Sequence, residues 1–266
     1  MDISEWLGDL QLKRYNYCGE FVSKKDVKNL VETLIQLLFP QTAGVSQKSL
    51  SDLEQELKDC QNHVEKVIGK VSSSQSLASE ATKNFFESLP IIEKQLTLDA
   101  TFIYEEDPAA KSFEEVLFCY PGFFAIATYR LAHNLYTQNV ALLPRMMTSY
   151  SQEKTGVDIH PGAHIGSPFS IDHGTGVVIG ETTHVGDSVK LFQGVTLGAL
   201  DVKKDGQFKK RHPTIKNNCV IYANATILGG ETEIGEKTII GGNVWLTKSI
   251  PSLSRVYNKS EFTLKK

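Results

Sequence analysis

Long apolar runs are missing from this chain. No stretch of about eighteen apolar residues occurs anywhere, which excludes a membrane-spanning helix. The opening decapeptide MDISEWLGDL lacks the basic charge that a secretory leader would carry. Cysteine is scarce: Cys18, Cys60, Cys119 and Cys219 stand far apart with no C-x-x-C pair. That argues against a disulfide framework or a cysteine zinc site and for reduced, mostly packed thiols. An excess of either charge is absent too, since 28 Lys and Arg against 31 Asp and Glu leave a formal net charge of −3. Such a balance offers no global attraction for nucleic acid or an anionic membrane, and neither is expected as a partner. What is present, 41% hydrophobic and 22% charged side chains over 266 residues, suits one large domain or two modest ones rather than a disordered segment. The expectation is a soluble cytosolic protein.

Residues 1–140 have helical periodicity. Val27, Leu30, Val31, Leu34, Leu37 and Leu38 mark one apolar face, closed by Pro40. Leu50, Leu53, Leu57, Cys60, Val64 and Val67 mark a second, after serines able to cap it. A further helix is expected over 79–89, stopped at Pro90. Two more follow over 113–120 and 122–136, separated by Pro121, and 141–156 reads as a linker or a final helix.

From residue 157 the period becomes six. Ile159, Ile165, Ile171 and Val177 form one series, and Ile179, Val185, Leu191 and Leu197 a second in a shifted register. The pattern resumes at Ile215, Ile221 and Ile227, then shifts again to Leu228, Ile234, Ile240 and Leu246. A period of six fits neither a helix nor an alternating sheet; it is the mark of a parallel β-helix, in which three hexapeptides make one triangular coil. Residues eighteen apart should then stack. This architecture is assigned to 157–250, with 251–266 as a C-terminal tail. The eighteen-residue gap between Leu197 and Ile215 keeps register, so 199–212 is an external loop. It carries Lys203, Lys204, Lys209, Lys210 and Arg211. The four lysines read first as solvated, and the alternative is an anion clamp for a carboxylate or phosphates.

Five of the seven histidines lie at 160, 164, 173, 184 and 212. Asp158 and the pair Asp172-His173 are slightly less than one coil apart, so they can meet on neighbouring rungs. A carboxylate held against one imidazole nitrogen raises the basicity of the other, as a general base for an alcohol requires. A different use of the histidines is a zinc lyase resembling the γ-type carbonic anhydrases, with catalytic zinc on His160 and His164, four apart, joined by His184 across a subunit boundary.

The runs VDIHPGAHIG, IDHGTGVVIGET, LFQGVTLG, RHPTI and IYANATILG, with EEDPAAKSFEEVLFCYPGFFAIATYRLAH before them, resemble the serine O-acetyltransferase family over residues 100–250. The resemblance implies an α+β fold, a helical domain followed by a left-handed parallel β-helix. It implies transfer of acetyl from acetyl-CoA to L-serine, without metal and without an acyl-enzyme. It gives His173 the role of general base and Asp158 that of orienting it. Asp107 and Asp172 would meet the serine ammonium, Arg211 its carboxylate, and His212 would line the same pocket. Coenzyme A would lie near Gly198, Ala223, Gly241 and Gly242, with a backbone N–H beside Gly198 facing the oxyanion. The family forms trimers, often paired into hexamers, with active sites between subunits, and L-cysteine inhibits by occupying the serine site. Two departures stand out. The loop before RHP is long, and the family's G-V-P-A ending is replaced by SIPSLSRVYNKSEFTLKK. Because the chain ends Lys265-Lys266 instead of isoleucine, partnership with cysteine synthase is expected to be absent or altered. A sugar or another amino alcohol as acceptor is the nearest alternative, and a purely structural trimer a more distant one. A sugar would leave Asp107, Asp172 and Arg211 without charges to pair with.

Overall fold

The computed structural model describes residues 2–16, 21–44, 48–200 and 210–259. The helical part runs α1 (Ile3–Asn16), α2 (Lys24–Leu38), a 3-10 turn at Pro40–Ala43, α3 (Leu50–Gly69), α4 (Gln75–Glu106), α5 (Phe113–Cys119), α6 (Pro121–Thr137) and α7 (Leu143–Thr155). Ser23 and Ser49 cap α2 and α3 through reciprocal bonds with Asp26 and Asp52. Pro121 opens α6 at its first turn, where its missing N–H costs nothing.

Two helical expectations are corrected. The helix expected to stop at Pro90 instead continues for 32 residues, with Pro90 inside α4. Pro90 faces solvent, while Phe85, Leu89, Ile92, Leu96 and Ala100 carry one buried stripe past it. Burial of that stripe outweighs a local hydrogen-bond loss worth about 3 kcal/mol. On α3 only Cys60, Val64, Val67 and Ile68 are buried, and Leu50, Leu53 and Leu57 are exposed. Of the cysteines, Cys60 and Cys219 are buried, Cys119 is exposed, and Cys18 lies outside the described residues.

The coil is a left-handed parallel β-helix of about four turns. Its first side holds β1 (Asp158–Ile159), β4 (Val178–Ile179), β7 (Thr196–Gly198), β10 (Thr226–Leu228) and β13 (Trp245–Leu246). The second side holds β2 (His164–Ile165), β5 (His184–Val185), β8 (Thr214–Ile215) and β11 (Glu233–Ile234). The third holds β3 (Phe169–Asp172), β6 (Val189–Phe192), β9 (Val220–Ile221), β12 (Ile239–Ile240) and β14 (Arg255–Val256). The hexad aliphatics point inward, and Ile159, Ile171, Ile179, Leu191, Leu197, Ile221 and Ile240 are buried; Leu228 is the exception, since its neighbour Ile227 takes the interior place and Leu228 lies on the outward face beside Gly198. Each such side chain contributes up to about 1.5–3 kcal/mol of transfer free energy.

The rungs are not uniformly eighteen residues long. Asp158 pairs with Val178 and His164 with His184, a step of twenty; Val178 pairs with Thr196, a step of eighteen; Val220 pairs with Ile239, a step of nineteen. The two register shifts in the hexad pattern are the corners that hold these extra residues. The helices dock on the first rungs around a buried ion pair, with the Tyr129 hydroxyl also donating to the Ala163 carbonyl. Arg130 of α6 binds Asp99 of α4 (Nη2–Oδ1 2.9 Å) and donates to the carbonyls of Ile165 and Gly166, while Asp99 accepts from Phe169 N–H and Ser167 Oγ.

Candidate active site

At the edge where the third side turns into the first, β3 ends on Asp172. His173 follows in the left-handed region at φ 57°, ahead of Gly174 at φ 90°. The turn throws the imidazole outward, 73% exposed, with Nε2 3.8 Å from Asp172 Oδ1. Asp107 closes α4 beside them. A carboxylate there opposes the helix dipole, yet its pKa is held below the usual range. The Tyr120 hydroxyl, donating to Oδ2 at 2.6 Å, is the main cause; the Ala109 N–H, Lys190 and His173 add to it against the effect of burial. Tyr120 is in turn pushed well up by the same bond. The junction between α5 and α6 can lie this close because Gly122 packs on the Ile171 carbonyl, where a Cβ would overlap the oxygen. Lys190, on β6 one rung below Asp172, sets its Nζ 3.7 Å from Asp172 Oδ2 and donates to Glu106 O at 2.9 Å.

At the edge between the first and second sides a different group assembles. The chain returns from its external loop at Lys210-Arg211-His212, and the His212 ring lies against Gly180, leaving no room for a Cβ there. Thr182 organises the return: its hydroxyl accepts from the N–H groups of Arg211 (2.9 Å) and His212 (3.1 Å), and its own N–H donates to His212 Nδ1 at 3.1 Å. Burial first, then Arg211 and Lys210, push the His212 pKa down to about 4, so the ring is neutral with its proton on Nε2. Arg211 pairs with Glu181, which also accepts from Tyr136 of α6 at 2.9 Å. His160 packs edge-on against Tyr136, ring centroids 5.8 Å apart, and burial lowers its pKa. Lys210 is exposed, yet its ammonium is also held, donating to the carbonyls of Thr182, His212 and Pro213. Lys203, Lys204 and Lys209 lie outside the described residues, as do Lys265 and Lys266.

Asp107, Asp172 and His173 are thus brought together, and Arg211 with His212, but at two edges of the prism. Asp158 and His173 do not meet within the chain. Asp158 sits mid-side on β1, where Arg145 of α7 binds it at 2.9 Å. Its rung partner is Val178, five residues beyond His173, so near-coil spacing put the two at different points of the perimeter. The coenzyme residues also divide. Gly198 ends β7 at the first–second edge, while Ala223, Gly241 and Gly242 line the third–first edge below His173. Gly241 is covered there by the Tyr257 ring. Within one protomer the histidines considered for zinc are divided: His164 and His184 stack at 4.8 Å on the second side, and His160 packs on Tyr136. Among the described residues no three His, Cys, Asp or Glu side chains are grouped to hold a metal. Also among the described residues, no helix is long and apolar enough to cross a membrane.

Reading the sequence missed Tyr120, Glu181, Thr182 and Lys190 as members of these groups. Glu181 and Thr182 stood in the motif already quoted, and Lys190 is the one charged residue of the strand VKLF. Tyr120 stood in the quoted run before the coil, with nothing in its spacing to link it to Asp107.

No protein-family model matches the chain. Among curated relatives, "serine acetyltransferase, plasmid" of Synechococcus elongatus is 52% identical over 180 residues, 66% of this chain and 56% of the relative. The chain therefore spans little more than half the length of that relative. The serine acetyltransferase of Bacillus subtilis is 44% identical over 163 residues, covering 61% of this chain and 73% of the relative. Among solved structures, serine acetyltransferase isoform 3 of Entamoeba histolytica, in complex with cysteine, superposes with a TM-score of 0.81. Its identity is 32%, over 89% of this chain and 83% of that one.

Proposed function

The chain belongs to the serine acetyltransferase family, and from that premise we propose that it transfers acetyl from acetyl-CoA to the hydroxyl of L-serine, giving O-acetylserine and free CoA. The observation that carries the reading is the division of charge between the two prism edges. Two carboxylates, Asp107 and Asp172, flank an exposed imidazole at one. A guanidinium and a neutral imidazole donor, Arg211 and His212, stand at the other. A zwitterionic amino acid needs both.

One protomer cannot supply both to one serine. At about 3.3 Å per residue, the strand between the edges holds them more than ~10 Å apart. The reading therefore includes a homotrimer, alone or paired, in which the third–first edge of one copy faces the first–second edge of the next. The same approach would carry Asp158 of one copy to His173 of its neighbour. Serine then lies with its ammonium on Asp107 and Asp172, its carboxylate on Arg211 and His212 Nε2–H, and its hydroxyl against His173. His173 takes the hydroxyl proton as the oxygen bonds to the thioester carbonyl carbon; the C–S bond breaks and the departing thiolate takes that proton back. A backbone N–H beside Gly198 offers a donor for the oxyanion. The coenzyme would follow the groove between copies, touching Gly198 of one and Ala223 and Gly242 of the other. L-Cysteine has the same ammonium and carboxylate as serine, so it competes for this subsite; the Entamoeba relative was crystallised with cysteine. The described cysteines are free thiols, in keeping with a reducing cytoplasm.

A thiol-release assay with acetyl-CoA across L-serine, L-homoserine and simple sugars tests the reading. Serine is expected to be the best acceptor, and His173→Ala to lose about 10²–10⁴-fold in rate while keeping its circular dichroism. Turnover of a sugar with none of serine would overturn it.

A further inference from the structure

The ammonium subsite already contains a cation. Lys190 Nζ lies 3.7 Å from Asp172 Oδ2 and 2.9 Å from the Glu106 carbonyl, the residue before Asp107. Its side chain is only 12% exposed. The ammonium lies 5.1 Å from the Phe192 ring centroid, so its stem is fixed against β6. Two carboxylates and one ammonium leave a net charge of −1, the complement of a single substrate ammonium. Without Lys190 the same pair would carry −2 in a half-buried crevice, which favours protonation or separation of the carboxylates. The Glu106 bond also places a positive charge on the C-terminal end of α4, where the helix dipole favours it. One side chain thus joins the two elements that bring Asp107 and Asp172 to serine.

We propose that Lys190 is a positioning residue of the amino-acid subsite, balancing the Asp107–Asp172 pair and pinning the end of α4 to the coil so that one ammonium fits between them. This inference rests on the serine reading above. Lys190 touches neither the hydroxyl nor the thioester, so its removal acts on serine affinity rather than on coenzyme affinity. Lys190→Met and Lys190→Gln should each raise the serine KM about tenfold or more, with the acetyl-CoA KM within about twofold of the parent. Lys190→Arg should restore the serine KM to within a few-fold. An unchanged serine KM, an equal rise for both substrates, or no rescue by arginine would each overturn the proposal. A parent enzyme silent toward serine would instead defeat the serine reading, and a second measurement then decides the role of Lys190. The groups around the Asp107 carboxylate are Tyr120, the Ala109 N–H, His173 and Lys190, with Asp172 lining the same crevice. Its titration, followed by carbon NMR, should move upward in Lys190→Met, and no movement would sink the placement.

Discussion

His212 is held in one protonation state by its neighbours. The Thr182 N–H donates to Nδ1, and burial with two adjacent cations keeps the ring from accepting a second proton until about pH 4. It can therefore only donate through Nε2, as a residue meeting a carboxylate should. Arg211 complements it with a permanent charge that Glu181 aims. At this scale the prediction concerns affinity: Arg211→Ala should raise the serine KM far more than the acetyl-CoA KM in steady-state kinetics. Equal effects would show that the guanidinium is not where the substrate carboxylate binds. His173, Arg211 and His212 stand in motifs that can be read directly from the chain, whereas the contacts that fix them cannot. The role of Tyr120 was not legible, because its bond to Asp107 spans thirteen residues and joins two helices. Nor was the use of Lys210, whose three carbonyl partners exist only once the loop has returned to the coil.

Helix α4 links the scaffold to the site. Its middle carries Asp99, fully buried against Arg130, and its end presents Asp107. Burial pushes the Asp99 pKa up, while Arg130, the Phe169 N–H and Ser167 oppose it. We read the carboxyl as ionised, because the two-pronged guanidinium contact satisfies both of its oxygens. Removing one partner would strand the other charge. Arg130→Met should cost about 3–5 kcal/mol of stability, checked by denaturant unfolding; a loss below about 1 kcal/mol would show that the pair is dispensable. The continuation of α4 through Pro90 escaped a local reading because proline punishes a helix interior, whereas the buried stripe that overrides it is gained against distant elements, α3, α6 and β3. For α3 the error ran the other way. Its apolar face read as one stripe, but the packing partners end at Cys60 and leave the three leucines before it exposed.

Over the whole molecule, burial lowers the pKa of four histidines, His133, His160, His184 and His212. The unfolded chain takes up these protons first as pH falls, so their contribution is complete above the ordinary histidine pKa of about 6.5 and is lost progressively toward pH 4. The melting temperature should fall across that window, and His212→Gln should flatten the slope; a flat profile for the parent would contradict the burial described. The prism as a whole was written in the chain. A six-residue aliphatic period survives without knowledge of any contact, because each corner returns the next strand to the same interior, and even the two register shifts mark rungs of twenty and nineteen residues. What spacing could not supply is position around the perimeter. Asp158 and His173 are nearly one coil apart in number, yet one lies mid-side against Arg145 and the other at a corner. Counted in hexads, Asp158 precedes the inward Ile159 by one residue and His173 follows the inward Ile171 by two, so a bare count of residues between them misjudges the angle around the axis. That angle, set by left-handed corners and by helices docked on the first rungs, decides which charges share an edge.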